Sequence, residues 1–466
     1  MGILRRVDED ALIRAGVRSL ESLAPTLTRL QQDDRPDAAI SAAVKRGYFT
    51  PDEDQHLREW FARYLTSRSG LLETIGDLRP LALPDRWESK SATVDEAMQL
   101  KCFAIAYAAA CLLVQAARFL IGEIATHKIT QRKLNEASPS HRIPSRQYTI
   151  IYRSMTNPLN AWRINEAVNF ADAHRADLEA LADDPMMKPV LGYIRTAQDA
   201  LRVGVTRYFR ARLRYRWHSW RRRRATAVQR AMFGIMESFG RLVADVRYWG
   251  DDHPMDRKVF DALSELLRPG DVIVMRHDHT LTNLFLPGFW PHVALHMGTE
   301  SERKSLGVSF DEDRSRRAAD PARVLEAKKD GVRFRPLTET LAVDSVAIIR
   351  PTLDASDIAE AISRAARHEG KLYNFDFDFF NDEKLVCTEV VYRAYDGIGP
   401  MQFELAQRAG RMTISAEDLL DMALQCRGFE PLAVFGVPGC HRRLVTGPRV
   451  AKLLKSSFHT HSDMHS

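Results

Sequence analysis

Cysteine is sparse and has no pattern. The five residues Cys102, Cys111, Cys387, Cys426 and Cys440 are odd in number and follow neither a metal-ligand nor a disulfide spacing. This excludes a disulfide scaffold and a zinc module, and suggests free thiols in a reducing compartment. No cofactor is implied by any motif. An export signal is not evident either: the start, MGILRRVDEDALIRAGVRSL, turns acidic before an apolar core can form, and Arg6 stands where an N-myristoylation motif wants Ser or Thr. The expectation is a cytoplasmic protein, with peripheral membrane attachment or a signal-less export route as alternatives. Long hydrophobic runs are also lacking. The most apolar stretch, CFAIAYAAACLLVQAARFLIGEIA, has about sixteen uncharged residues before Arg118, short of the roughly 20 that span a bilayer. It reads as a buried, alanine-rich core helix.

What is present is ample core material: 466 residues, 45% hydrophobic and 27% charged, enough for two or so domains. Over residues 1–250 apolar residues recur at helical spacing, as in EDALIRAGVRSLESLAPTLTRL and NEAVNFADAHRADLEALA, with almost no alternation. This half is expected to be all-helical, without repeats. Its least regular part, NEASPSHRIPSRQYTIIYRSMTNP, reads as a long loop with one short extended piece.

The texture changes after Pro254. A short helix, DRKVFDALSELL, leads to the turn RPGD and the runs VIVMR, HVALHMG, RVLEA, GVRFRP and SVAIIRP, which are short, β-branched and bounded by Gly, Pro and Asp. Helical patterns follow in DASDIAEAISRAARHEG, CTEVVYRAYDG and SAEDLLDMALQC. The fold class is therefore α+β: a helical region over 1–250, a mixed domain over 255–445, and a polar flexible tail over 446–466.

Two residues invite chemistry. In WPHVALHMG, His292 opens a strand directly after a proline, and His296 lies further along the same pleat face as a rival. In EKLVCTEVVYRAYDG, Cys387 falls at or within a residue of a helix N-terminus, with Gly397 as the C-terminal stop. There the unpaired N–H groups and the dipole favour a thiolate. Spacing alone leaves the alternative of a buried, inert cysteine open, and it does not choose between the two histidines.

The ordered set RPGDVIVMR, WPHVALHMG, RVLEAKKDGVRFRPL, YNFDFDF, LVCTEVVYRAY and TISAEDLL resembles the circularly permuted papain-like cysteine hydrolases of the NlpC type, over about residues 256–445. In that group the histidine strand precedes the cysteine helix. Thr388 stands where the family usually has Ser. The resemblance implies a papain-like domain with an antiparallel sheet and a packed cysteine-bearing helix. It implies Cys387 as nucleophile, His292 as base, Glu326 as the residue orienting the imidazole, and Tyr373 as an oxyanion ligand beside the Cys387 N–H. For Glu326 a solvated strand-end carboxylate, and for Tyr373 a purely structural ring, are the alternatives. Asp376 and Asp378 receive neither a catalytic nor a metal role. The loop HDHTLTNLFLPGF reads either as a lid or as a long connection.

The implied chemistry is cleavage of an amide or acyl ester through a thioester on cysteine. Lipid amides, acyl lipids and peptides are candidate substrates; lipid acyl transfer, phospholipase-like activity and a non-catalytic binding module are the alternatives. One further clue lies in RVGVTRYFRARLRYRWHSWRRRR, which holds ten arginines and no acid. Arg221, Arg222, Arg223 and Arg224 with Trp217 and Trp220 suit an anionic membrane surface. Nucleic acid is the less favoured partner, and a helix paired with acidic neighbours is the structural alternative. With a net charge of only +6, the basicity is local.

Overall fold

The computed structural model describes residues 9–78, 96–138, 141, 143–201, 255–276, 289–375, 383–408, 411–440 and 443–458. The arginine-rich stretch with Trp217, Trp220 and Arg221 to Arg224, the loop over 277–288, and Asp376 and Asp378 lie outside the described residues. The chain divides into two compact units, Met1–Val246 and Arg247–Ser466.

Among its described residues the first unit is built of helices. Helix α1 (Glu9–Gln32) turns Ile13, Val17, Leu20, Leu23, Leu27 and Leu30 inward. Helix α2 (Asp37–Arg46) leads to α3 (Pro51–Asp77), which starts on a capping box in which Thr50 N–H donates to Glu53 Oε2 at 2.8 Å. Helix α4 (Glu96–Phe119) carries the apolar stretch. The span Ala97–Ile124 is long and apolar enough to cross a bilayer by composition, yet 83% of its most apolar window is buried inside the protein, against α1, α3 and a later helix. The segment expected to be a loop needs correction. An isolated bridge pairs Ser138 with Ile143, but QYTIIYRSMT forms helix α5 (Gln147–Thr156), which buries Tyr148 and Ile151. Local Ser and Pro content concealed a helix that tertiary burial stabilises. Helix α6 (Lys188–Ala197) packs on α4.

The second unit is built on a seven-stranded antiparallel sheet. Asp256 caps helix α7 (Arg257–Leu266) by accepting the Lys258 N–H. Strands β1 (Val272–Arg276), β2 (His292–His296), β3 (Ala322–Lys328), β4 (Gly331–Pro336) and β5 (Ser345–Pro351) follow. Helix α8 (Ala355–Ala366) precedes the short parallel pair β6 (Leu372–Tyr373) and β7 (Lys384–Leu385), and then helix α9 (Cys387–Tyr395). A small hairpin of β8 (Ala406–Arg408) and β9 (Arg411–Thr413) leads to helix α10 (Ala416–Leu424), strands β10 (Phe429–Phe435) and β11 (Val445–Thr446), and helix α11 (Arg449–Phe458). The sheet order is β11-β10-β5-β1-β2-β3-β4.

On one face, Ile273, Met275, Ala294, Val324, Val346, Ile348 and Phe435 form a core with Leu263 and Leu267 of the α7 region. The other face of β1 and β5 is buried as well, which is why these strands read as continuous apolar runs rather than alternations. Tyr395, near the end of α9, donates its hydroxyl to Gly270 O in the turn before β1. Gly270 has φ +93, and a Cβ there would stand 3.1 Å from the Tyr395 hydroxyl, so the RPGD turn needs glycine for both conformation and space.

Two features at the C-terminal end depart from expectation. Strand β10 joins β5 with a register shift between Pro431 and Ala433, and this break hides its alternation in the sequence. The expected flexible tail is a helix as far as Phe458, with Val450, Leu454 and Phe458 buried at four-residue spacing. Its Ser457 Oγ accepts the indole N–H of the fully buried Trp290 at 3.0 Å. The mixed domain therefore extends past 445. Each of those three apolar side chains contributes about 1.5–3 kcal/mol when buried, and Trp290 loses its cover with them. Deletion of 449–466 is expected to lower the melting temperature of the second unit by several degrees or to abolish its cooperative melt; an unchanged calorimetric melt would contradict this packing.

Candidate active site

The site begins with a defect in strand pairing. Along β2, the His296 N–H donates to Asp271 O on the β1 side and the Met297 N–H to Arg323 O on the β3 side. Since amide directions alternate along a strand, the Val293 N–H points toward β3. But β3 pairs with β2 only at Leu295 and His296. The two strands part beyond that point, and the Val293 N–H is available there. The Cys387 sulfur stands near this opening, where the backbone N–H groups of Val293 and Thr388 stabilise its charged form.

Cys387 is the first residue of α9, after Val386 at the cap, and is 5% exposed. Its N–H belongs to the first turn, where no intrahelical acceptor exists. The helix is fixed by Val390, Val391 and Ala394, all buried, and packs against β2, β3 and α8. Glu389, fully buried at the third helical position, accepts the Val386 N–H at 3.4 Å and the Arg393 Nε–H at 2.8 Å. Burial pushes this carboxyl up to about 7 against the opposing pull of Arg393.

His292 stands within hydrogen-bonding reach of the Cys387 thiol. Its Nε2 bonds Glu326 Oε1 at 2.7 Å. The ring thus touches both the carboxylate and the sulfur. Glu326 is 1% exposed, so it is no solvated strand-end acid. Its Oε2 accepts the Thr340 hydroxyl at 3.2 Å and lies 3.1 Å from Lys328 Nζ and 3.4 Å from Arg335 Nε. Arg335 is itself held by Asp330 and, at 3.0 Å, by Glu339.

These partners set the protonation states. Burial works against the imidazolium, but Cys387 and Glu326 together outweigh it and raise His292 to about 9. Burial works against the thiolate too, and is outweighed by His292 and the two backbone N–H groups, so the Cys387 thiol lies below its ordinary value. Glu326 is held well below the usual carboxylate range: burial opposes this, while Lys328, His292 and Arg335 favour the charge. The favoured state is a thiolate–imidazolium pair beside a permanent carboxylate, the composition required for attack on a carbonyl.

The remaining predicted residues fall as follows. The β6–β7 pair sets Tyr373 opposite Leu385, two residues ahead of Cys387, with its ring edge-on to Phe375 at 4.8 Å. His296 sits about 13 Å further along β2, where its Nδ1 bonds Arg268 O at 2.9 Å; burial lowers its pKa and it does not adjoin the sulfur. Among the described residues no group of three or more His, Cys, Asp or Glu is placed to hold a metal ion. Sequence reasoning missed Glu389, Lys328, Arg335 and Thr340. It also missed Glu417, whose Oε1 takes the N–H groups of Phe289 and, at 3.3 Å, Trp290, fixing the lead into β2. The periodicity of TISAEDLL placed Glu417 in a first helical turn but could not reveal that distant partner.

Residues 266–438 match the model of a family described as permuted papain-like amidase enzyme, YaeF/YiiX, C92 family. That span contains His292, Glu326, Tyr373 and Cys387. No curated protein and no solved structure gives a match.

Two outcomes follow from the electrostatics. A small haloacetamide is expected to alkylate Cys387 faster than Cys440, whose thiol burial pushes up, and kcat/KM is expected to fall above about pH 9 as the His292 imidazolium loses its proton. Equal alkylation, or a rate still rising at pH 10, would contradict the ion pair. Glu326→Gln is expected to lower kcat/KM roughly 10²- to 10⁴-fold and to move the alkaline limb downward, as measured from the full pH–rate profile.

Proposed function

We propose that the C-terminal half, a permuted papain-like cysteine hydrolase of the amidase kind, cleaves an amide or acyl ester through a thioester formed on Cys387. The observation that carries this reading is the chain of contacts from the Cys387 sulfur through the His292 ring to Glu326. In the first step the thiolate attacks the substrate carbonyl carbon; a C–S bond forms and the carbonyl π pair moves to oxygen. The Cys387 N–H, in the unpaired first turn of α9, is oriented to receive that oxyanion, with the Tyr373 phenol as its partner. Collapse restores the carbonyl and breaks the bond to nitrogen or alcohol oxygen, and the departing group takes the proton from His292. Glu326 keeps the imidazole in one orientation and stabilises its positive charge throughout. Water then gives a proton to the neutral His292 and attacks the thioester, releasing the acid and restoring the thiolate.

For the substrate we favour an acyl lipid or lipid amide over a peptide. The support is compositional: Trp217, Trp220 and Arg221 to Arg224 form a set suited to an anionic bilayer surface, where guanidinium meets phosphate and indole rests at the headgroups.

The direct test is trapping of the acyl-enzyme. Full-length protein incubated briefly with a cellular lipid extract, and separately with a peptide extract, then acid-quenched, is expected to carry a new mass on the peptide containing Cys387. A fatty-acyl mass identifies the lipid class, and a peptidyl mass overturns it. The adduct is expected to disappear in Cys387→Ala, and His292→Ala is expected to reduce its formation at least 100-fold. A labelled Cys426 with an unlabelled Cys387 would overturn the nucleophile.

A further inference from the structure

The helical unit buries a charge that no described residue accepts. Arg68, in the middle of α3, is 6% exposed, and among the described residues none hydrogen-bonds or ion-pairs with it; the only group that acts on its charge is the neighbouring Tyr64. Burying an unpaired guanidinium is costly, so the position asks for a counterpart. The surroundings narrow its nature. Tyr64, Ser67 and Arg68 stand at i, i+3 and i+4 and share one face of α3. Among the described residues the buried Tyr64 and Ser67 hydroxyls have no hydrogen-bond partner, and the same holds for Ser22 on α1.

Ser22 belongs to the same level of the bundle. The Trp60 indole N–H donates to Leu30 O at 3.1 Å, while Gly16 lies beside Leu78. Helices α1 and α3 are therefore antiparallel, and counting along each from these two contacts brings Ser22 level with the Arg68–Leu72 turn of α3. The cluster thus gathers one guanidinium and three hydroxyls, all able to donate, and among the described residues none of them has a hydrogen-bond partner. A planar, bidentate cation that can only donate, beside hydroxyls able to donate with it, fits an oxyanion.

We propose that Arg68, Ser67, Tyr64 and Ser22 form an oxyanion-binding site within the helical unit, for a ligand bearing a carboxylate or phosphate group. This rests on no feature of the thiol site. The test uses the full chain, with thermal melting followed by helical circular dichroism at constant ionic strength and sodium chloride as the balancing salt. Titration with inorganic phosphate or with acetate is expected to give a saturable rise of about 5 °C or more at a hundredfold excess over Kd for the preferred anion. The better of the two names the ligand's head group. Arg68→Met is expected to abolish the rise while melting, without anion, at or above the wild-type temperature, because it removes an unpaired charge. Arg68→Lys is expected to need at least tenfold more anion, since it keeps the charge but loses the fork. Should Arg68→Met fail to fold, Ser67→Ala decides, with an expected fivefold rise in the half-saturating concentration. No saturable rise with either anion, the same rise in Arg68→Met, or an unchanged midpoint in Ser67→Ala would each overturn the site.

Discussion

The hydrogen bond from His292 Nε2 to Glu326 Oε1, 2.7 Å long and with its carboxylate end buried, is the constraint on which the rest of the thiol site depends. It fixes which ring nitrogen faces the sulfur, and it supplies the negative charge that lets an enclosed imidazole stay protonated. Such a carboxylate is expensive to bury alone. Thr340, Lys328 and Arg335 offset that expense, and Asp330 and Glu339 in turn hold Arg335. Much of the β3–β4 ladder and the turn after it therefore exists, in energetic terms, to keep one acid ionised.

The sheet yields some regularity for the same purpose. Pairing between β2 and β3 extends only over Leu295 and His296, and the amide released at Val293 is spent on sulfur instead of on a strand. A continuous ladder would be more stable locally, yet it would close the opening in which thiolate and imidazole meet. The clamps on the lead into β2 offset the loss: Glu417 from α10 and Ser457 from α11 hold the backbone of Trp290 and its indole. Elements distant in sequence thus determine where His292 starts.

How much of this could be read from the chain varies with how local each signal is. The caps at Asp256, Asp354 and Ser415 and the β-branched runs of β1, β2, β3 and β5 mark their elements directly, because each depends on neighbours in sequence. Helix α11 was obscured since its apolar residues, Val450, Leu454 and Phe458, are diluted by Lys and Ser, and β10 since Pro431 breaks its rhythm. The candidates Cys387 and His292 were visible as a helix start and a strand start, but choosing His292 over His296 took a family resemblance. Sequence spacing does not say which imidazole faces the opening and which faces Arg268. The Val293 and Thr388 amides could not be found at all, because a backbone N–H leaves no mark in the residue alphabet.

The two units handle a buried arginine in opposite ways, and the contrast bears on what each is built to do. Arg335 is placed among Asp330, Glu339 and Glu326, so its charge is satisfied within the fold and serves only to position and polarise its neighbours. Arg68 has Tyr64 beside it and, among the described residues, no acid paired with it. A helical bundle that needed only stability would do better with an apolar side chain there, as replacement of buried ionic groups by well-packed hydrophobes is often neutral or favourable. Retaining a guanidinium at that point makes physical sense when its counter-charge arrives from outside the chain, so that the energy withheld at folding becomes energy of binding.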